Sequence, residues 1–413
     1  MQKLVVKCLS MYRINLPPWS MKSKTIRFTL SIIFTIIFSC SGFCQIKPSI
    51  TARVDTTNQE VKEIYRLIDN YINSKPDSLY QNPYWNESEV EHYLNQKNEK
   101  FDLAAHFLFA NMNAQQLFST FTPTILSVEP VGEKYVTRIL LAADTVQKWM
   151  VDYKINPPFI LRYYSARDKS GDWKLENTWS NELTKWGKYK TKWVTFHFPP
   201  TFDFSQSNAE KANKFIESVV IKMELNEAKP FDFYVMSSEE QLGRLHNMDY
   251  WLSYSTGFTQ KAYNRALSAK GREAHLHEFI HMVYHPVQNY FLAEGIATYL
   301  GGVDGYTPYQ ETLKTVSKDI YGNHPKTTFK DLYSNSFRYP TNQNPRYVAG
   351  AVVYQLVYDK KGLKGINQLE KSENTYESFV KTFAGVMKMK ESKVEEFLTD
   401  YIKKYHLTGS AKS

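Results

Sequence analysis

Cysteine is scarce. The 413-residue chain has three, Cys8, Cys40 and Cys44, and all lie in the first 44 positions. Beyond them there can be no disulfide framework, no thiol nucleophile and no thiolate metal site. No apolar run reaches the ~20 residues that carry a helix across a bilayer. Internal repeats and low-complexity tracts are absent as well, which removes solenoid and fibrous architectures. An excess of positive charge is present only in name. The formal net charge is +9, yet residues 1–44 hold Lys3, Lys7, Arg13, Lys22, Lys24 and Arg27 and no acidic residue. The remainder carries 45 basic against 42 acidic residues. No basic stripe is left, so no nucleic-acid partner is expected. Aromatic residues make up 15% of the chain, which a Tyr-rich core and surface account for.

The first 44 residues have a plan of their own. Met21-Lys22-Ser23-Lys24 opens a basic stretch ending at Arg27; the apolar run Phe28–Phe38 follows, then Ser39, Cys40, Ser41, Gly42, Phe43 and Cys44. This is the layout of a signal peptide, with Met21 as an alternative start. Residues 1–44 are therefore expected to be a leader. Ile37-Phe38-Ser39-Cys40 resembles a bacterial lipobox, which implies a lipid on Cys40 and attachment to a membrane. A periplasmic or secreted soluble form and an outer-surface lipoprotein both stay open.

Two domains are expected after the leader, 46–187 and 188–413, in an α+β class. Val61, Ile64, Tyr65, Leu67, Ile68, Tyr71 and Ile72 recur at helical spacing, and Phe101–Phe118 suggests a second helical region. The period then switches to two. Strands are expected over Thr124–Val131, Tyr135–Leu141, Phe159–Arg167 and Asp172–Thr178, with a hairpin turn at Asp168–Asp172. Helices followed by antiparallel strands, and the ending Gly171-Asp172-Trp173-Lys174-Leu175, resemble the cone-shaped, cystatin-like fold of nuclear-transport-factor-like domains. That resemblance implies a curved antiparallel sheet and a role in binding. In the second domain, strands are expected at Tyr189–Phe198, Pro230–Met236 and Phe258–Leu267, and a helix at Ala209–Met223. From Gly271 onward the chain reads as helical, with Tyr347 opening a helix to Tyr358.

Four of the ten histidines fall between positions 275 and 285, and His277-Glu278-Phe279-Ile280-His281 is an H-E-x-x-H motif. Leu276, Phe279, Ile280 and Val283 give its helix an apolar face, and Pro286 stops it. On a helix, positions i and i+4 are about 40° apart around the axis and about 6 Å along it. His277 and His281 can thus address one ion. Glu278 is one residue round from them. A second apolar helix, Tyr290–Leu300, ends at Gly301-Gly302 and carries Glu294 inside it. A carboxylate buried there needs a partner, and a metal supplies one. His275 and His285 point away from this face, and His246, His324 and His406 are expected at the surface.

The motif together with Phe291-Leu292-Ala293-Glu294-Gly295-Ile296-Ala297-Thr298-Tyr299 closely resembles the glutamate-zincin metallopeptidases, in particular the peptidase MA-like group, over roughly residues 190–413. The interval of 13 between His281 and Glu294 is shorter than in the best-known relatives. The resemblance implies a small sheet followed by a mainly helical half. It also implies one Zn²⁺ per chain held by His277, His281 and Glu294, with Glu278 as general base, and a peptide or protein substrate. It further implies a Tyr or His after the third ligand to stabilise the oxyanion. Among His324, Tyr339, Tyr347 and Tyr354, Tyr347 at a helix start is best placed. No exopeptidase anchor is evident, which favours an endopeptidase over an aminopeptidase. The alternative is an exported binding or scaffold protein with an inactive or structural zinc site. Nothing in the sequence fixes the oligomeric state.

Overall fold

A computed structural model describes residues 45–74, 82–97, 99–104, 118–143, 145, 158–251, 256–334 and 344–408. The expected leader, including Cys40 and Cys44, most of Phe101–Phe118 and Tyr339 lie outside them. The class is α+β, as the sequence implies.

Helix α1 (Gln59–Ile72) starts where Asn58 accepts hydrogen bonds from the amides of Glu60 and Val61. It buries Val61, Ile64, Leu67, Ile68, Tyr71 and Ile72. The switch to period two appears as an antiparallel meander: β2 (Thr122–Val131), β3 (Lys134–Ala142), β4 (Phe159–Arg167) and β5 (Trp173–Glu176). The short β1 (Ser49–Ile50) adds in parallel to β2. The turn at Asp168 closes as expected, with Gly171 at φ 85° and Asp168 accepting from the amides of Ser170 and Asp172.

After α2 (Thr178–Leu183), a second sheet forms in the order Gly257–Gln260, Arg265–Ser268, Phe231–Val235, Val194–Phe198 and Gly187–Lys190. The expected single strand Tyr189–Phe198 is a hairpin, β6 (Gly187–Lys190) and β7 (Val194–Phe198). It reverses because the amide and hydroxyl of Thr191 both donate to the Val194 carbonyl. Helix α3 (Gln206–Lys222) crosses to β8 (Phe231–Val235), parallel to β7. Helix α4 (Glu239–Arg244) follows. Phe258–Leu267 is likewise a hairpin, edge strand β10 (Gly257–Gln260) and β11 (Arg265–Ser268). Asn264, left-handed at φ 50°, makes that turn, and its side chain donates to the Pro230 carbonyl.

Between α4 and β10, β9 (Met248–Tyr250) leaves the second region and pairs with β4 of the first sheet. Asp249 binds Arg138 and Arg162 at 2.5 and 3.1 Å. Beside it, Asn247 donates to the fully buried Asp102, which also accepts from the hydroxyls of Tyr71 and Tyr163. Residues 47–413 are accordingly one compact unit, with chain from both sides of position 187 in one sheet. His246 is fully buried rather than at the surface. Its Nδ1 donates to the Leu242 carbonyl, and its ring lies against Trp179 and Phe258.

The rest is helical: α5 (Leu276–Val283), α6 (Tyr290–Gly301), α7 (Tyr309–Asn323), α8 (Phe329–Ser334), α9 (Pro345–Leu369), α10 (Tyr376–Met387) and α11 (Val394–Thr408). Phe279 of α5 wedges edge-on against Phe231 and Phe233 of β8, at 5.3 and 4.6 Å between ring centres. Each such buried ring contributes about 1.5–3 kcal/mol. That contact seats the H-E-x-x-H helix on the second sheet.

Candidate metal centre

Helix α5 is short because Tyr284 turns extended (ψ 145°) ahead of Pro286. Asn289 then caps α6, accepting from Leu292 N, and is itself buried and bound to Tyr333, Ser372 and the Glu373 carbonyl. The end of α6 returns to the start of α5. A side chain at Gly301 would strike the backbone of Leu276 and His277 at about 2.6 Å, so only glycine permits this approach. The Gly301-Gly302 pair is thus more than a helix stop.

This hairpin brings His277, His281 and Glu294 together as a group that could hold a metal ion. His277 Nε2 lies 3.1 Å from Glu294 Oε2 and 3.2 Å from His281 Nε2, and His281 Nε2 lies 3.5 Å from Glu294 Oε2. On its other side, His277 Nδ1 is 3.0 Å from the Gly302 carbonyl. A carbonyl can only accept, so Nδ1 carries the proton and the Nε2 lone pair faces the group. Against the effect of burial, the two imidazoles beside it hold Glu294 well below the usual carboxylate range. Glu278, buried beside them, is pushed up by burial, while the neighbouring His277 and His281 pull it the other way. Its carboxylate makes no hydrogen bond among the described residues and so keeps its lone pairs free.

No protein-family model matches the chain, and no curated protein matches it. What the site can do rests on its own residues.

Helix α9 completes the wall. It crosses α6 backbone to backbone at Gly295 and Gly350, where a side chain on Gly350 would meet the Gly295 Cα at 2.7 Å. Tyr347, one turn earlier, is thereby laid over the site. Its ring stacks on His277 (5.6 Å, 15°), and its hydroxyl is 3.2 Å from that of Tyr290. Burial, then the charge of Glu294, push the Tyr347 hydroxyl far above its ordinary pKa. It stays a neutral donor at any physiological pH.

The other candidates separate from the group. His275 bonds Ser268 and stacks on Tyr306, His285 pairs with Glu370 at 2.7 Å, and His324 is exposed. Tyr354 is fully buried with its hydroxyl on Glu370, a core position as its apolar neighbours imply. Three groups near the site escape the sequence reading: Tyr290, Arg346 and Lys270. Lys270 donates to the Asp304 carbonyl and acts on Glu278 through its charge. Tyr290 had a signal, since it stands four residues before Glu294 and so on the same helix face.

Proposed function

We propose that this chain is an exported zinc metallopeptidase of the glutamate-zincin kind. The observation that carries the proposal is the spacing of the ligand atoms. Four ligands about 2.0–2.1 Å from a tetrahedral zinc stand about 3.3–3.4 Å apart. The three separations here are 3.1, 3.2 and 3.5 Å. Two imidazoles with inward Nε2 and one ionised carboxylate form a donor set that suits zinc. A structural zinc is usually closed by four protein ligands, whereas among the described residues the group here has three. That supports a catalytic site with an open position.

Zinc at such a site supplies Lewis acidity to a carbonyl and to a water molecule. The residues of this chain supply the rest. Glu278 accepts the proton of the attacking water and returns it to the leaving amine. His277 is held in its tautomer by the Gly302 carbonyl. Tyr347 donates to the oxygen that becomes negative as the carbonyl turns tetrahedral. Edge strand β10, at the rim of the sheet under α5, is where extended substrate would add to the sheet.

The test is a digest of a mixed peptide library. Cleavage is expected from zinc-replete protein, should stop with a zinc chelator, and should return when zinc is restored. Zinc-replete protein that leaves the whole library intact would favour the binding-protein alternative.

Tyr347→Phe removes one hydroxyl and nothing else. It should cost about 2–4 kcal/mol of transition-state stabilisation, the scale of one oxyanion donor, with zinc content and melting temperature nearly constant. An unchanged turnover number would reduce Tyr347 to packing against His277.

A further inference from the structure

Arg346 has charge and donors, but among the described residues its side chain has no hydrogen-bond acceptor. It sits in the first turn of α9, next to Tyr347. Its guanidinium lies 4.8 Å from the centre of the Tyr290 ring and 6.0 Å from that of Tyr333. Its Nε is buried without a hydrogen-bond partner. Among the described residues no carboxylate or carbonyl accepts from its side chain. The adjoining segment 335–343 contains no acidic residue. The acid of the site, Glu294, is already engaged by two imidazoles. Arg138, Arg162 and Arg167, by contrast, all have carboxylate partners.

The place of this cation is as telling as its state. Tyr290 is about half exposed, at 47%. Its hydroxyl meets that of Tyr347, whose ring covers His277. Arg346, Tyr290, Tyr347 and His277 therefore form a continuous wall from solvent to the metal ligands. A partly buried guanidinium without a counter-charge is costly. The cost is recovered when a ligand brings the charge. The planar fork of arginine matches a carboxylate in two parallel hydrogen bonds.

We infer that Arg346 is a substrate anchor, receiving a carboxylate of the peptide near the bond to be cleaved. The inference rests on the peptidase reading of the same site. The carboxylate has two sources, the C-terminus of a peptide or an Asp or Glu side chain, and both present the same group to the guanidinium.

Matched peptides separate the two. One pair differs only in a free against an amidated C-terminus; the other carries Glu against Gln at positions flanking the scissile bond. Wild-type protein should favour one carboxylate form in kcat/KM by about 10- to 100-fold, the range of a charge-assisted pair. In Arg346→Met that ratio should fall to near one, with zinc content and melting temperature retained. Arg346→Lys, which keeps the charge without the fork, should be intermediate. The pair that discriminates names the source: the first means carboxypeptidase-like action, the second an acidic specificity within a chain. Cleavage with no preference in either pair overturns the anchor and leaves the peptidase reading intact. Binding of the same peptides to zinc-loaded Glu278→Gln protein reads the anchor without turnover. A carboxylate preference in binding, beside wild-type protein that cleaves nothing, keeps the anchor and removes the peptidase. No preference in binding or cleavage removes the anchor.

Discussion

Replacing Glu278 by Gln is expected to lower kcat by about 10²–10⁴-fold, the contribution of one general acid–base group, while the protein stays folded and keeps about one zinc per chain. The substitution is nearly isosteric, so the packing of α5 on β8 is untouched. Glu278 is not one of the three grouped ligand atoms, and it makes no hydrogen bond among the described residues. Metal retention and fold therefore have no reason to change. What is lost is proton affinity: an amide cannot take the proton from water or hand it to the leaving amine. Burial already works against the Glu278 carboxylate, so a neutral amide should not lower the melting temperature. Single-turnover cleavage and metal analysis on one preparation decide the matter. Wild-type rates would remove Glu278 from the proton shuttle, and loss of zinc would place it among the ligands instead.

His281→Ala should abolish zinc binding and with it all cleavage. Deleting one of the three proposed ligands leaves His277 and Glu294 alone, and metal affinity depends on the full set. Stability should report the same loss. A ligand that binds only the folded state stabilises it by about 2.7 kcal/mol at a hundredfold excess over its dissociation constant. Wild-type protein should melt higher as zinc is added, and the variant should not. His285→Ala makes a fair control, because His285 pairs with Glu370 at the surface, away from the group. It should keep both zinc and activity. Full zinc occupancy in His281→Ala would reject the ligand assignment.

Both variants probe residues that local spacing alone can bring into view. An i, i+4 pair of histidines faces one side whatever surrounds the helix, because helical geometry is the same in every fold. Glu294 was legible for a related reason: an acid in an apolar helix demands a partner, and few are available. The strands of the first sheet were legible through their alternation, and β4 spans the expected Phe159–Arg167. The two hairpins of the second sheet were not. Their turns, Thr191–Trp193 and Lys261–Asn264, lack the Asn-Gly or Gly-Gly pairs that mark a reversal. They are made by a threonine bonded across its turn and by an asparagine in the left-handed region, and neither stands out in a run of alternating residues. His246 was misplaced because a polar residue reads as surface until its burying neighbours, Trp179 and Phe258, are known. They are 67 and 12 positions away.

By itself, then, the sequence determined whatever depends on neighbours within a turn or two. These are the two-histidine face of α5, the acid of α6, the capped helices and the alternating strands. Only the tertiary structure decided what depends on distant backbone meeting backbone. The glycine contacts between α6 and α9 lay Tyr347 over His277 and set Arg346 beside Tyr290. The return of α6 onto α5 puts the Gly302 carbonyl on His277. β9 ties the chain beyond position 187 into the first sheet. Such contacts join residues tens of positions apart. Their position is fixed by the packing of whole elements rather than by any local periodicity, so no window of sequence contains them.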